Sequence, residues 1–126
     1  MPLVRISLKE GRPESFTKTV GDAVQQALVE TIHIPLNDRF QLFTEHKGGF
    51  IYDAEYLNIP RSDHLLNIQI TISLGRSLEM KKALFRRVTE LLAGSGQIRP
   101  EDVMINIEEV QKENWSFGNG IAQYVT

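Results

Sequence analysis

Two groups in this sequence could do chemistry without a cofactor, an amino-terminal secondary amine and an arginine at the end of a predicted strand. Pro2 directly follows Met1. If Met1 is removed, as is expected when the second residue is as small as proline, the mature chain begins with a free secondary amine. The pKa of an α-amino group is about 8 in water, and burial lowers it toward neutrality. A strand that holds this amine rigidly would make it a general base or a general acid.

Arg76 is the second candidate. It lies in the segment Gly75-Arg76-Ser77, between a predicted strand and a predicted helix. Unpaired backbone N–H groups at a helix start, together with a guanidinium, suit a substrate carboxylate. The alternative is a surface arginine that shields the turn.

The composition excludes several other kinds of site. The chain has no cysteine, which excludes disulfides, thiolate nucleophiles and thiolate metal sites, and its three histidines lack metal-ligand spacing. We therefore expect no metal and no cofactor. The net charge of −2 argues against a general nucleic-acid binder. No apolar run approaches the roughly 20 residues of a membrane span, and the start lacks the apolar segment of a signal peptide. A cytoplasmic protein of one domain, residues 1–126, is the expectation.

The elements that must position these residues follow from hydrophobic periodicity. Apolar residues recur at three- and four-residue spacing in two segments, which predicts amphipathic helices, and β-branched runs predict strands. The predicted elements are strand 3–8, helix 13–32, strand 40–44, connector 47–63, strand 65–74, a helix opened by 75–77 and ended by 94–96, strand 103–110 and tail 111–126.

The pattern occurs twice. Gly11-Arg12 and Gly75-Arg76 are 64 positions apart (76 − 12), and Asp38 pairs with Asp102 at the same offset. Residues 2–47 and 65–110 thus predict tandem β-α-β units, an α/β (α+β) fold whose four-stranded sheet carries both helices on one face. We expect the other face to be apolar, through Ile68, Ile70 and Ile72 or their alternates, and to be covered by oligomerisation.

Several of these segments together resemble the tautomerase superfamily, whose members use an amino-terminal proline. They are Pro2, the duplicated Gly-Arg units, Asn37-Asp38-Arg39 and Asn114-Trp115-Ser116-Phe117-Gly118. A duplicated chain of this length is similar to the malonate semialdehyde decarboxylase branch, with the 4-oxalocrotonate tautomerases as single-unit relatives. The resemblance implies the tautomerase/MIF-like fold and homotrimers with active sites near subunit boundaries.

The resemblance also implies roles for individual residues. The decarboxylase's terminal proline, aspartate and second arginine match Pro2, Asp38 and Arg76, but its first arginine falls on Leu74, which cannot hold a carboxylate. Arg12 matches a substrate-binding arginine of the single-unit relatives.

Three further residues have an alternative, structural interpretation. Asp38 would orient water or tune the Pro2 amine, or it is an ordinary turn aspartate, as Asp102 is. Trp115 and Phe117 would exclude water and lower the pKa of the amine. The alternative is that they pack the tail at a subunit interface, which is compatible with the first role.

The leading hypothesis is a cofactor-independent tautomerase of small 2-keto or enol carboxylic acids. Neutral Pro2 would move the proton, and Arg76 would bind the carboxylate or stabilise enolate charge. One alternative is a malonate semialdehyde decarboxylase- or hydratase-like lyase, in which Pro2 is protonated and Asp38 activates water. Another is a trimeric binding protein without catalysis.

Overall fold

Strands and helices follow one another in the order β-α-β, β-α-β. The computed structural model describes residues 1–125. The main elements are β1 (Leu3–Lys9), α1 (Glu14–Ile32), β2 (Gln41–His46), β3 (Leu66–Ser73), α2 (Leu78–Gly94) and β4 (Val103–Val110). Short 3-10 turns lie at Tyr56–Asn58, Pro100–Asp102 and Lys112–Asn114. The predicted fold class and element order are confirmed.

The four strands form one mixed sheet in the order β2-β1-β3-β4. Within each β-α-β unit the two strands are parallel, and the units meet through the antiparallel pair β1 and β3. Val4 pairs with Gln41 and Ile68 with Ile105, a separation of 37 positions in both units (41 − 4 and 105 − 68). The two units therefore have the same strand register.

A pseudo-two-fold axis relates the units. Arg5 faces Gln69 across the central pair, and these residues are themselves 64 positions apart. The axis therefore passes between them. Because β1 and β3 run in opposite directions, the start of β1 lies beside the end of β3, and the end of β1 beside the start of β3.

The turns after β1 and β3 obey the same symmetry. Gly11 has φ 111° and Gly75 has φ 120°, values that glycine adopts without the steric cost of a side chain. The residue before each glycine donates its backbone N–H across the sheet, Glu10 to the carbonyl of His46 at 3.0 Å and Leu74 to that of Val110 at 2.9 Å. We call Gly11-Arg12 and Gly75-Arg76 the first and second Gly-Arg turns.

Both helices cover one face of the sheet. The buried stripe of α1 includes Phe16, Val20 and Leu28, and that of α2 is Leu84, Val88 and Leu92. They pack on alternate residues of the central strands, which are at most 3% exposed: Val4, Ile6, Leu8, Ile68, Ile70 and Ile72. Helix α2 begins where the Ser77 hydroxyl accepts the backbone N–H of Met80 at 3.2 Å.

The uncovered face of the sheet differs from the expectation. Side chains alternate along a strand, so Ile68, Ile70 and Ile72 all face the helices and their neighbours face outward. Those neighbours are polar: Asn67, Gln69 and Thr71 on β3, with Arg5 and Ser7 on β1. The predicted apolar face is wrong, since the β-branched run supplies the core. Apolar side chains on the uncovered face are at its margins, with Leu42 and Met104 exposed.

No helix within residues 1–125 has the length and apolar character that a bilayer span requires.

Candidate active site

The start of β1 carries the amino terminus into a group of charged side chains. Pro2 is buried, and the α-amino nitrogen of Met1 lies 3.8 Å from Oδ2 of Asp38. Asp38 belongs to the turn before β2, closed by its backbone N–H donating to the Pro35 carbonyl at 3.0 Å. Because β1 and β2 are parallel neighbours, their starts lie side by side, which explains how the carboxylate reaches the amine.

The surroundings of the amine change its protonation. Burial lowers the pKa of the terminal amine below its ordinary value, and the positive charge of Arg76 acts in the same direction. The Asp38 carboxylate, 3.8 Å away, opposes both through its negative charge but does not cancel them. The Pro2 nitrogen would become the free amine in a chain without Met1.

Arg76 reaches the same end of the sheet from β3. Its Nη1 donates to the carbonyl of Ser73 at 3.1 Å, which fixes the partly buried guanidinium over the end of the strand. The second Gly-Arg turn thus places a cation at the end of the sheet that also holds the amine and the Asp38 anion.

The tail forms an aromatic wall over this end. Trp115 donates its indole N–H to the Ser73 hydroxyl at 3.2 Å and stacks on Phe117 at 5.4 Å between ring centroids. The ring of Tyr124 meets Phe117 edge-on at 4.8 Å. Together these three rings form one aromatic cluster at this end of the sheet.

Tyr124 and Ser73 belong to this site but were not among the predicted residues. Burial raises the pKa of the Tyr124 phenol, the charge of Asp38 raises it further, and Arg76 lowers it. These influences place the phenol close to both charges. The sequence signal that could have indicated Tyr124 is that it is a third aromatic residue in the tail. For Ser73 the signal is a hydroxyl at the last position of an apolar strand.

Of the remaining predicted residues, Leu74 lies at this end and Arg12 does not. Leu74 is 50% exposed, next to Ser73, and offers no charge. Arg12 follows β1 at the opposite end of the sheet, with its guanidinium carbon 4.4 Å from the centre of the Phe16 ring. Within one chain the structure therefore brings Pro2, Asp38, Arg76, Trp115 and Phe117 together, but not Arg12.

No group of three or more histidine, aspartate or glutamate side chains within residues 1–125 is placed to hold a metal ion. The chemical groups at this end are an amine, a carboxylate, a guanidinium and a phenol.

Comparison with known proteins identifies the family. Residues 38–118 match the model of a family described as tautomerase enzyme. The probable tautomerase YusQ of Bacillus subtilis (strain 168) is 38% identical over 126 residues, 99% of each chain. This chain belongs to the tautomerase family. The probable tautomerase YrdN of the same organism is 34% identical over 127 residues, covering 100% of this chain and 98% of its own.

Solved structures of tautomerase-family proteins agree with this fold. A malonate semialdehyde decarboxylase inhibited by 3-bromopropiolate is 40% identical, with a TM-score of 0.88 over 98% of this chain and 94% of that one. Another malonate semialdehyde decarboxylase, studied for its decarboxylase and hydratase activities, is 31% identical, with a TM-score of 0.88 over 97% and 95%. The resemblance stated from the sequence is confirmed at the level of family and fold.

Proposed function

We propose that this tautomerase-family protein is a cofactor-independent keto–enol tautomerase of small 2-keto or enol carboxylic acids. The observation that carries the proposal is the terminal amine at the start of β1, with a lowered pKa and with Asp38 and Arg76 near it. These values belong to the Met1 nitrogen, and removal of Met1 would instead free the nitrogen of the adjacent, buried Pro2. An amine whose pKa is close to the working pH is an efficient proton-transfer group.

In the proposed reaction the neutral Pro2 amine takes a proton and gives it back at another atom. The proton leaves an enol oxygen, or the carbon beside a carbonyl, and returns at the other end of the same three-atom system. Arg76 holds the substrate carboxylate and stabilises the developing enolate charge. Trp115, Phe117 and Tyr124 keep water from competing for the proton.

A decarboxylase-like lyase is the second candidate, because two malonate semialdehyde decarboxylases are 40% and 31% identical to this chain. In that reaction Pro2 would act as a protonated acid, favoured by the Asp38 carboxylate near the amine. The exposed Leu74 counts against it, since no second cation stands beside Arg76 at this position.

The test compares Pro2→Ala with wild-type protein whose mass shows that Met1 is absent. We expect wild type to ketonise phenylenolpyruvate and Pro2→Ala to lose that activity, because alanine changes the secondary amine to a primary one and moves it. Pro60→Ala, at an exposed proline of the connector, is the control and should keep activity. Full activity in Pro2→Ala overturns the assignment, and inactivity of the wild type favours the non-catalytic alternative.

The proposal includes a cytoplasmic homotrimer with active sites near subunit boundaries. The uncovered sheet face supports assembly. A fused 4-OT with the same fold, 19% identical at a TM-score of 0.77 over 94% of each chain, is described as a symmetric trimer.

A further inference from the structure

The pseudo-two-fold axis gives the Pro2 site a counterpart at the other end of the sheet. Leu66 takes the position of Pro2, and Arg12 takes that of Arg76, each at an offset of 64. A cavity of about 300 Å³ opens at this end. Its lining includes Lys9, Arg12, Phe16, His64 and Leu66. We call this cavity the counterpart pocket.

The surroundings of the counterpart pocket resemble those of the Pro2 site, although Phe50 and Tyr52 lie beside its lining and not within it. The connector follows β2 as the tail follows β4, and each carries aromatic side chains back to the end of a central strand. The Lys9 ammonium lies 5.2 Å from the centre of the Tyr52 ring, and Lys9 is the repeat equivalent of Ser73, which Trp115 contacts. Phe50 meets Tyr52 edge-on at 5.0 Å.

The counterpart pocket lacks the groups for proton transfer by an amine. The chain continues through Leu66, so no terminal amine exists there. Asp102, the equivalent of Asp38, is 1% exposed and already bonded. It accepts the backbone N–H and the hydroxyl of Ser62 at 2.7 and 2.6 Å, and Nε of Arg99 at 3.2 Å.

The cation of the Pro2 site is nevertheless retained. Arg12 is partly buried, rests on the Phe16 ring, and has no hydrogen bond or ion pair to any of residues 1–125. Three other charged side chains line the pocket. Lys9 and Asp63 are paired with each other at 2.9 Å, and Glu10 is exposed to solvent. Within residues 1–125, Arg12 is therefore the unpaired arginine or lysine that the pocket offers to an anionic ligand.

We propose that the counterpart pocket binds a small carboxylate through Arg12 and leaves it chemically unchanged. The cavity volume suits a molecule of a few carbon atoms. A carboxylate is the group that a guanidinium fork binds in two parallel hydrogen bonds. The choice of ligand class rests on the proposed function of the Pro2 site, whereas the presence of a second anion site rests on the cavity and Arg12.

The test uses malonate as the probe and two glycine amides as reporters. Gly11 and Gly75 lie in the two Gly-Arg turns, so their ¹H–¹⁵N signals report the two ends of the sheet separately. We expect both signals to shift saturably, with separate dissociation constants. Arg12→Gln should weaken the Gly11 response by about tenfold or more, because a charge-assisted bond is lost. It should leave the Gly75 response in place, and Arg76→Gln should do the reverse.

Arg86→Gln, at an exposed arginine of α2, removes the same charge elsewhere and should preserve both responses. The proposal is overturned if Gly11 shows no saturable shift, if its shift survives Arg12→Gln, or if Arg86→Gln abolishes it. A Gly11 response without a Gly75 response supports the counterpart pocket and counts against the proposed function. The two proposals therefore fail separately.

Discussion

Two opposite charges act on the amine at the start of β1, and their effects on its pKa can be separated. Asp38 raises the pKa and Arg76 lowers it, while burial sets the net direction downward. A general base works in its neutral form, so activity should rise as pH increases through this pKa. The pH profile of the reaction is therefore a direct measure of the electrostatics at the site.

Asp38→Asn should move the acid limb of the kcat/KM profile to lower pH. The substitution removes the group that raises the pKa of the amine, so the amine stays neutral, and active as a base, in more acidic solution. Arg76→Gln should move the limb to higher pH and also raise KM. The measurement is a pH profile with phenylenolpyruvate, alongside ¹⁵N titration of the Pro2 amine. A shift of the Asp38→Asn limb to higher pH contradicts the base assignment.

Leu74 should make wild-type protein a poor malonate semialdehyde decarboxylase. A missing charge-assisted hydrogen bond costs about 1.5–3 kcal/mol, or roughly ten- to hundredfold in rate if it acts in the transition state. Leu74→Arg should recover part of this activity, measured by carbon dioxide release. Leu57→Arg, at an exposed leucine of the connector, is the matched control and should change nothing. Efficient decarboxylation by the wild type would contradict this prediction and favour the lyase as the function of the protein.

Residue types predicted this site only in part. Pro2, Asp38 and Arg76 carry recognisable groups next to strand ends, and the structure brings them together. Tyr124 was missed because the tail reaches the site by folding back over β3. The tail has no hydrophobic periodicity from which this path could be predicted. Arg12 was assigned from the resemblance to the single-unit relatives, and the antiparallel contact between the units puts it at the far end of the sheet from Pro2 within the chain.

At the scale of elements, the two Gly-Arg turns provide a matched pair of variants. Gly75→Ala and Gly11→Ala each force a side chain into a left-handed backbone conformation without any steric neighbour within 4 Å. Each should therefore destabilise the protein by a similar amount, about 1–3 kcal/mol. Gly75→Ala should in addition reduce kcat/KM, because it displaces Arg76. Thermal unfolding and kinetics of both variants are the measurement, and an equal loss of activity in both would contradict the assignment.

The elements were predictable because each has a strong hydrophobic period, and β4 was predicted with its observed bounds. Strand β2 was placed one residue early at its start. The predicted strand began at Phe40, which is 54% exposed, whereas Gln41 is partly buried and donates its amide to the Gly21 carbonyl at 2.9 Å. A partly buried polar residue whose side chain is hydrogen-bonded does not fit a prediction based on apolar side chains alone.

At the scale of the whole molecule, no helix within residues 1–125 covers one face of the sheet, where the tail and the connector contact only strand ends. We expect light scattering to give three times the 14.3 kDa mass of the chain. Assembly would cover backbone and polar side chains that the two helices cannot reach on that face. A stable monomer at micromolar concentration would contradict the homotrimer. Since the exposed side chains there are mostly polar, the subunit contact should rely on hydrogen bonds as much as on apolar burial.

The symmetry of the two units has a consequence for chain connectivity. A polypeptide has a single amino terminus. When two equivalent units are joined in one chain, only one of the two Gly-Arg turns can therefore have a terminal amine near it. Circular permutation would move the amine from one turn to the other. A chain opened just before Leu66, with its present ends linked and proline at that position, would start beside Arg12 and Asp102 instead of Arg76 and Asp38. In the proposed function, the position of the amino terminus therefore decides which end of the sheet is the active one.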